Sequence, residues 1–414
     1  MDKIRLGLVG CGGMGTRHLY GLRELAGTPF NNVELCALCD IRRENAEQAA
    51  AEAKQLLGVE PEIFADLEEM ARRAPDLHAV DVVTDPSIHH DVVCQALDLG
   101  LHVLVEKPMA ITVKACRRMV QAAERNGRVL SVAENYRRDP SARLVRHLLE
   151  QGAIGRPYMA LFHHLRPGNE IFITPWRHLK VRGGPILDLG VHFVDMIRYQ
   201  LGDVAEVYGD AWLVEAVRRK PAKISSPYAF YRNRFEAMED EAPADAEDTS
   251  VAVFRMENGV FVNWIVGMGG TGSCSTEQIL GLQGSFVGFG TRGGRVGMRR
   301  ASGEEMDQEQ MLEAAEGFKL DPLTAHFFPS GMSAGDAAVD WKLLAFEHHE
   351  LAEAILQEKT VEVDGAVGLK DVAAAYAVLE SAVAGRPVTM REVETCEVYG
   401  YQTEIDEALG IAQV

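Results

Sequence analysis

Gly10-Cys11-Gly12-Gly13-Met14-Gly15 restricts the fold of this chain more than any other stretch. It follows the apolar run Ile4-Arg5-Leu6-Gly7-Leu8-Val9 and opens a segment with helical spacing that continues to about residue 26. In a strand–turn–helix unit, the first glycine of G-x-G-x-x-G permits the tight turn. The second lets a pyrophosphate approach the backbone, and the third lets the helix pack on the strand. The helix N-terminus then presents free N–H groups and the positive end of its dipole to the phosphates. Asp40 closes a second apolar run, residues 33–39. A carboxylate at that strand end hydrogen-bonds ribose hydroxyls and repels a 2′-phosphate. The pattern predicts an NAD site, with NADP disfavoured. Arg42 and Arg43 argue the other way, but they read as solvent-facing residues on the first turn of the next helix.

Short β-branched runs at 80–84, 102–106 and 129–134 alternate with helical segments at 42–57, 88–99 and 112–126. Strands and helices alternating at this pitch predict βαβ units and a parallel sheet. After residue 140 the character changes. A helix is expected over 141–151, a strand over 157–165 and a helix over 186–201, with the runs 249–256 and 260–266 flanking Asn258-Gly259. That dipeptide suits a hairpin turn with positive φ at both central residues. Further strands fall near 278–298, and helices at 341–357 and 369–384. The expected architecture is an α/β N-terminal Rossmann domain, residues 1–135, and an α+β C-terminal domain, residues 136–414, with an open, mainly antiparallel sheet. The final helices are expected to pack back on the body. Residues 214–248 run from Arg218, Arg219 and Lys220 to an acidic cluster and read as a solvated insertion or lid.

At 414 residues, two domains are the natural expectation. The 61 acidic against 42 basic residues give a formal charge of −19, which repels phosphate backbones and anionic lipid. Nucleic acid and membrane are therefore poor partners, and no apolar stretch approaches the roughly 20 residues of a bilayer span. The N-terminal residues lack a basic, apolar and cleavable secretion pattern. The seven cysteines are scattered, and Cys36 and Cys39 fall within an apolar strand run, as packed, reduced thiols do. A cytoplasmic location follows as an expectation.

Two further constellations carry chemistry. Glu106-Lys107-Pro108 ends a strand at the carboxyl edge, where open α/β sheets place ligands. A lysine there can serve proton transfer or remain a plain surface residue. Asp188 and His192 lie at i and i+4, so a helix would project both from one face. There the acid can orient an imidazole that moves a proton.

With these motifs the sequence resembles the glucose–fructose oxidoreductase / inositol dehydrogenase family, Gfo/Idh/MocA, over nearly its whole length. The residues that carry the resemblance are the glycine run with His18, Thr84 with His89, and Glu106-Lys107-Pro108. Trp176-Arg177, Asp188 to Asp195, Glu247-Asp248-Thr249 and Glu380 to Val388 add to them. The resemblance implies an oxidoreductase that moves a hydride between the nicotinamide and a hydroxyl or ketone of a sugar, glycoside or cyclitol. It implies Lys107, Asp188 and His192 as catalytic residues, leaving open whether lysine or histidine finally accepts the proton. It implies cofactor contacts from Gly10, Gly12, Gly13, Met14, Gly15, Asp40, Ile41, Thr84, His89, Glu106 and Lys107. Substrate contacts are expected from Tyr136, His164, Trp176 and Arg177, with His163, Phe172 and His178 as weaker candidates. A homo-oligomer, dimer or tetramer, is also implied. No metal is expected, since His89/His90 and His348/His349 lack carboxylate or thiolate companions at ligand spacing. Thr84-Asp85-Pro86-Ser87 and Glu134 before Asn135 depart from the common pattern. A cofactor recycled in place is a variant of this reading. A non-catalytic dinucleotide sensor is its alternative, against which the joint presence of Lys107, Asp188 and His192 argues.

Overall fold

The glycine run sits between β1 (Ile4–Val9) and α1 (Gly13–Ala26), as its spacing requires. The chain continues through β2 (Val33–Cys39), α2 (Arg43–Leu57), β3 (Glu62–Phe64) and α3 (Leu67–Arg73). It then forms β4 (Ala79–Val82), α4 (His89–Asp98), β5 (His102–Glu106), α5 (Val113–Asn126) and β6 (Leu130–Ala133). This is a computed structural model describing residues 2–411. The six strands form one parallel sheet in the order β3-β2-β1-β4-β5-β6. β4, β5 and β6 are buried on both faces except at His102, as strands covered by helices on each side must be, and Asp81, Glu106 and Ser131 interrupt their apolar runs. The order reverses at β1 and β4, and ligands of such sheets bind beyond the carboxyl ends of strands at that reversal. The pattern reading missed β3, which is only three residues long, and α3, which Asp66 caps by accepting from the Glu69 N–H.

The later elements are α6 (Pro140–Glu150), β7 (Pro157–Arg166), α7 (Gly184–Leu201), β8 (Val204–Trp212), β9 (Val217–Arg219), α8 (Ala229–Glu236) and β10 (Glu241–Pro243). After them come β11 (Thr249–Met256), β12 (Phe261–Met268), β13 (Cys274–Gly281), β14 (Gly284–Val287), β15 (Gly297–Arg300) and β16 (Glu305–Met306). Helices α9 (Gln308–Ala314), α10 (Pro322–Phe327), α11 (Val339–Gln357) and α12 (Gly365–Ala384) follow. The chain closes with β17 (Val388–Thr389), α13 (Met390–Glu394) and α14 (Thr403–Leu409). Nine strands form the second sheet, in the order β16-β15-β14-β13-β7-β12-β11-β8-β17. It is antiparallel except for the β7–β12 pair. The expected hairpin joins β11 to β12, but of its expected central pair only Gly259 takes a positive φ, 86; Asn258 does not, because the turn runs from Met256 to Gly259, whose N–H donates to the Met256 carbonyl at 3.0 Å.

Two compact units result. One comprises residues 1–134, 222–238 and 340–369; the other comprises 135–221, 239–339 and 370–414. In the second unit α7 packs on the inner face of the sheet. Phe193 lies 5.0 Å from Phe162 between ring centroids, and Trp264 stacks on Phe254 at 5.3 Å. Helix α7 starts at Gly184, two residues earlier than the periodicity indicated. Gly183 takes φ 97 at its N-cap, and Pro185 fits the first turn, where no N–H partner is needed. The solvated reading of 214–248 fails at Arg218, which is fully buried. Its Nη2 donates to Asp248 Oδ2 at 2.5 Å and its Nη1 to the Met268 carbonyl at 2.9 Å. A buried guanidinium is tolerated because it is paired and hydrogen-bonded.

Candidate active site

In the first unit the glycine loop is bare backbone by necessity. Gly10 has φ 96, and a Cβ on it would lie 2.5 Å from the Val83 carbonyl oxygen; one on Gly15 would lie 2.2 Å from that of Gly10. The loop is stitched to the end of β2. Gly10 N–H donates to the Cys39 carbonyl at 2.8 Å, and Cys11 N–H to Asp40 Oδ2 at 2.8 Å. The Arg42 N–H donates to the other Asp40 oxygen at 2.8 Å. Asp40 therefore positions the loop, with Asn45 Nδ2 3.3 Å from Oδ2 as a further donor. Ile41 beside it is 87% exposed. Arg43 is turned to Glu47, at 2.7 Å on the helix surface. Thr84 Oγ1 is buried without a protein partner, an orphan that a bound ligand would satisfy. These residues fit a dinucleotide.

His89 is fully buried, with Nδ1 3.1 Å from the Pro108 carbonyl and Nε2 3.2 Å from that of Thr84. Burial holds its pKa below the ordinary value. His89 thus ties the Thr84 loop to the segment following Lys107. Lys107 is half-buried at the tip of β5, next to Glu106. Glu106 is turned inward, with Oε1 3.3 Å from His18 Nε2. The other nitrogen of His18 lies 2.7 Å from Asp81 Oδ2, and His348 Nε2 reaches the same oxygen at 2.9 Å. Sequence reasoning missed this cluster, although a lone carboxylate inside the apolar strand β4 signals a buried partner. His18, Asp81 and His348 could hold a metal ion by their proximity. Their atoms are already in direct hydrogen-bond contact, so a cation would have to spread them. Burial disfavours the His18 imidazolium, but Asp81 and Glu106 outweigh it and push its pKa up to about 10. Glu106 is opposed by burial too, yet His18 and Lys107 hold it below its ordinary value.

In the second unit Asp188, His192 and Asp195 fall at i, i+4 and i+7 of α7, and all three are buried. The Asp188 carboxylate pairs with the Arg177 guanidinium, which lies 4.7 Å over the Trp176 ring. The His192 imidazole stacks on Tyr136 at 4.2 Å between centroids, with ring planes 1° apart. Tyr136 is held in register by its neighbour, because Arg137 grips the fully buried Asp195 with both Nε and Nη2. Asp195 and Arg137 are positioning residues that motif reading missed; the seven-residue spacing of the acids was the available signal. His164 shares the β7 face of Phe162, toward α7, at 4.8 Å from Phe193. His163 points to the opposite face and meets Asn263 at 2.7 Å. Arg166 lies over Phe172 at 4.5 Å. His178 accepts from the Phe172 N–H at 2.9 Å, and burial beside Arg218 pulls its pKa down to about 4, so it anchors the loop as a neutral ring.

Residues 4–134 match the family model described as "Oxidoreductase family, NAD-binding Rossmann fold", and residues 142–293 match the GFO/IDH/MocA C-terminal domain. The chain belongs to the Gfo/Idh/MocA family. Levoglucosan dehydrogenase of Pseudarthrobacter phenanthrenivorans is 29% identical over 296 residues, 69% of this chain and 74% of that protein. Myo-inositol 2-dehydrogenase of Thermotoga maritima is 29% identical over 208 residues, 50% of this chain and 58% of that one. A structure of levoglucosan dehydrogenase in complex with NADH and L-sorbose superposes with a TM-score of 0.74 at 24% identity, covering 94% of this chain and 100% of that one. This Gfo/Idh/MocA protein is accordingly an NAD-dependent oxidoreductase, with the parallel sheet and the mainly antiparallel sheet of its relatives.

Proposed function

We propose that this protein oxidises a secondary hydroxyl of a sugar, glycoside or cyclitol to a ketone, or runs the reverse reduction. The observation that carries the reading is His192, buried on α7 one turn from Asp188 and stacked flat on Tyr136. A buried imidazole with a fixed ring plane suits transfer of a hydroxyl proton. Asp188, held by Arg177, accepts a hydrogen bond from a substrate hydroxyl. His192 takes the proton, and the Lys107 ammonium steadies the developing alkoxide. Bound NAD supplies the hydride acceptor. Gly12 and Gly13 would hold its pyrophosphate and Asp40 its ribose, and Thr84 and His89 would shape the nicotinamide end. Tyr136, Trp176 and His164 are the proposed walls for a polyol ring. Relatives that act on levoglucosan and myo-inositol support a cyclic polyol.

The test is NADH formation by the purified chain with a panel of anhydrosugars, inositols, aldoses and glycosides, repeated with NADP. Turnover with one carbohydrate class and NAD supports the reading. Turnover confined to non-carbohydrate alcohols, or no turnover in either direction across the panel, overturns it.

We further propose a homo-oligomer formed through the outer face of the nine-stranded sheet. Tyr208, Val251, Val253 and Phe261 project there, each between 38% and 58% exposed. Among the described residues no helix is long and apolar enough to cross a membrane. The seven free cysteines support a reducing, cytoplasmic setting.

A further inference from the structure

The 222–238 segment lies outside the Rossmann sequence but belongs to the first unit, and it ends up against the glycine loop. A Cβ added to Gly13 would lie 2.6 Å from Tyr231 Cζ and 2.9 Å from its hydroxyl oxygen. One added to Gly12 would lie 3.5 Å from Phe230 Cζ. Gly12 is the second glycine of the motif, where the backbone is left bare for a pyrophosphate. Two aromatic rings therefore stand on the open side of that seat.

The segment is anchored through Tyr228. The Tyr228 hydroxyl accepts from Trp341 Nε1, and its ring meets Tyr20 edge-on at 5.3 Å. Tyr20 packs on Trp341 at 5.0 Å, and the Arg23 guanidinium lies 4.9 Å and 4.8 Å from those two ring centroids. Arg17 pairs with Asp340. By contrast α8, which carries Phe230 and Tyr231, has eight residues, none fully buried, and no side-chain N-cap. A helix that short has little stability of its own.

We propose that residues 222–238 form a roof of the dinucleotide site, with Tyr231 and Phe230 closing over the pyrophosphate and Tyr228 as the hinge-side anchor. The Tyr231 hydroxyl donates a hydrogen bond to a phosphate oxygen, and the two rings exclude water from it. Release of the dinucleotide then requires α8 to lift. The inference concerns the cofactor alone and stands whichever polyol is the substrate.

The experiment is the dissociation rate of NADH from the full chain, read as loss of NADH fluorescence on displacement by excess NAD. The Phe230→Ala/Tyr231→Ala double variant should release NADH well over tenfold faster, and Tyr231→Phe about tenfold faster, the scale of one charge-assisted hydrogen bond. Unchanged rates in the double variant would overturn the roof. So would tighter NADH binding, which would mean that Tyr231 fills the phosphate seat instead of covering it. A readout on the unaltered protein guards against a misfolded variant. Trypsin cleavage after the exposed Lys223 and Arg232 should slow when NAD is added. Cleavage indifferent to NAD would also reject the proposal.

Discussion

Asp40 does two things at once, and a substitution there separates them. Its carboxylate holds the Cys11 and Arg42 N–H groups, and it is also the proposed ribose partner. Asp40→Ala is expected to weaken NAD binding and to narrow the preference for NAD over NADP, since the charge that repels a 2′-phosphate is gone. Binding constants for both cofactors check this, and an unchanged ratio would remove Asp40 from the ribose. His192 and Lys107 are the proposed residues of the reacting end. His192→Ala and Lys107→Ala should each lower kcat by about two to four orders of magnitude while leaving NADH affinity nearly intact. If either variant instead lost the cofactor, that residue would belong to binding. The joined readout of kcat and NADH titration distinguishes the two.

At the scale of elements, the first unit relies on one buried cation. His18 on α1 links Asp81 of β4 to Glu106 at the end of β5, and so fixes the helix behind the glycine loop against the strand that delivers Lys107. Its pKa rises from 6.5 to about 10 on folding, against the desolvation penalty. A group whose folded pKa is raised contributes its full stability below the unfolded value and loses it as pH climbs through the folded value. Asp81, held below its ordinary range by His18 and His348 despite its burial, acts at the other end of the scale; its contribution fades as pH falls below the carboxylate range. Thermal melts should therefore show stability declining between pH 6.5 and about 10. His18→Gln should flatten that decline and destabilise the fold by about 3–5 kcal/mol, because two carboxylates would remain buried without their cation. A wild-type curve with no alkaline decline would show that His18 is not charged.

For the whole molecule, the outer face of the second sheet poses the question of assembly. Apolar side chains of β8, β11 and β12 alternate with core-facing ones, so strand periodicity itself turns Tyr208, Val251, Val253 and Phe261 outward. Exposed apolar side chains grouped on a sheet face and flanked by charged ones, here Asp210 and the Arg255–Glu206 pair, mark an interaction surface. Sedimentation of the wild type should show a dimer or tetramer, and Val251→Glu/Phe261→Glu should shift it to monomer. A wild type that sediments as a monomer would leave that face without its proposed partner.

The parallel α/β half is legible in the residues alone, because a strand buried on both faces is largely an apolar run and a pyrophosphate seat must be glycine. So is the shared helix face of Asp188 and His192, since four residues make about one turn. Residues linked only through space were decided by tertiary structure. His18, Asp81 and His348 are separated by 63 and 267 residues, and no local pattern connects them. Arg137 and Asp195 meet across 58 residues to set Tyr136 on His192. Tyr231 read as part of a solvated insertion or lid, and only the folded chain brings it to Gly13. Periodicity reports which face of an element is buried; it carries no information about which distant element supplies the partner, because a buried charge specifies that a partner exists without specifying where in the chain it lies.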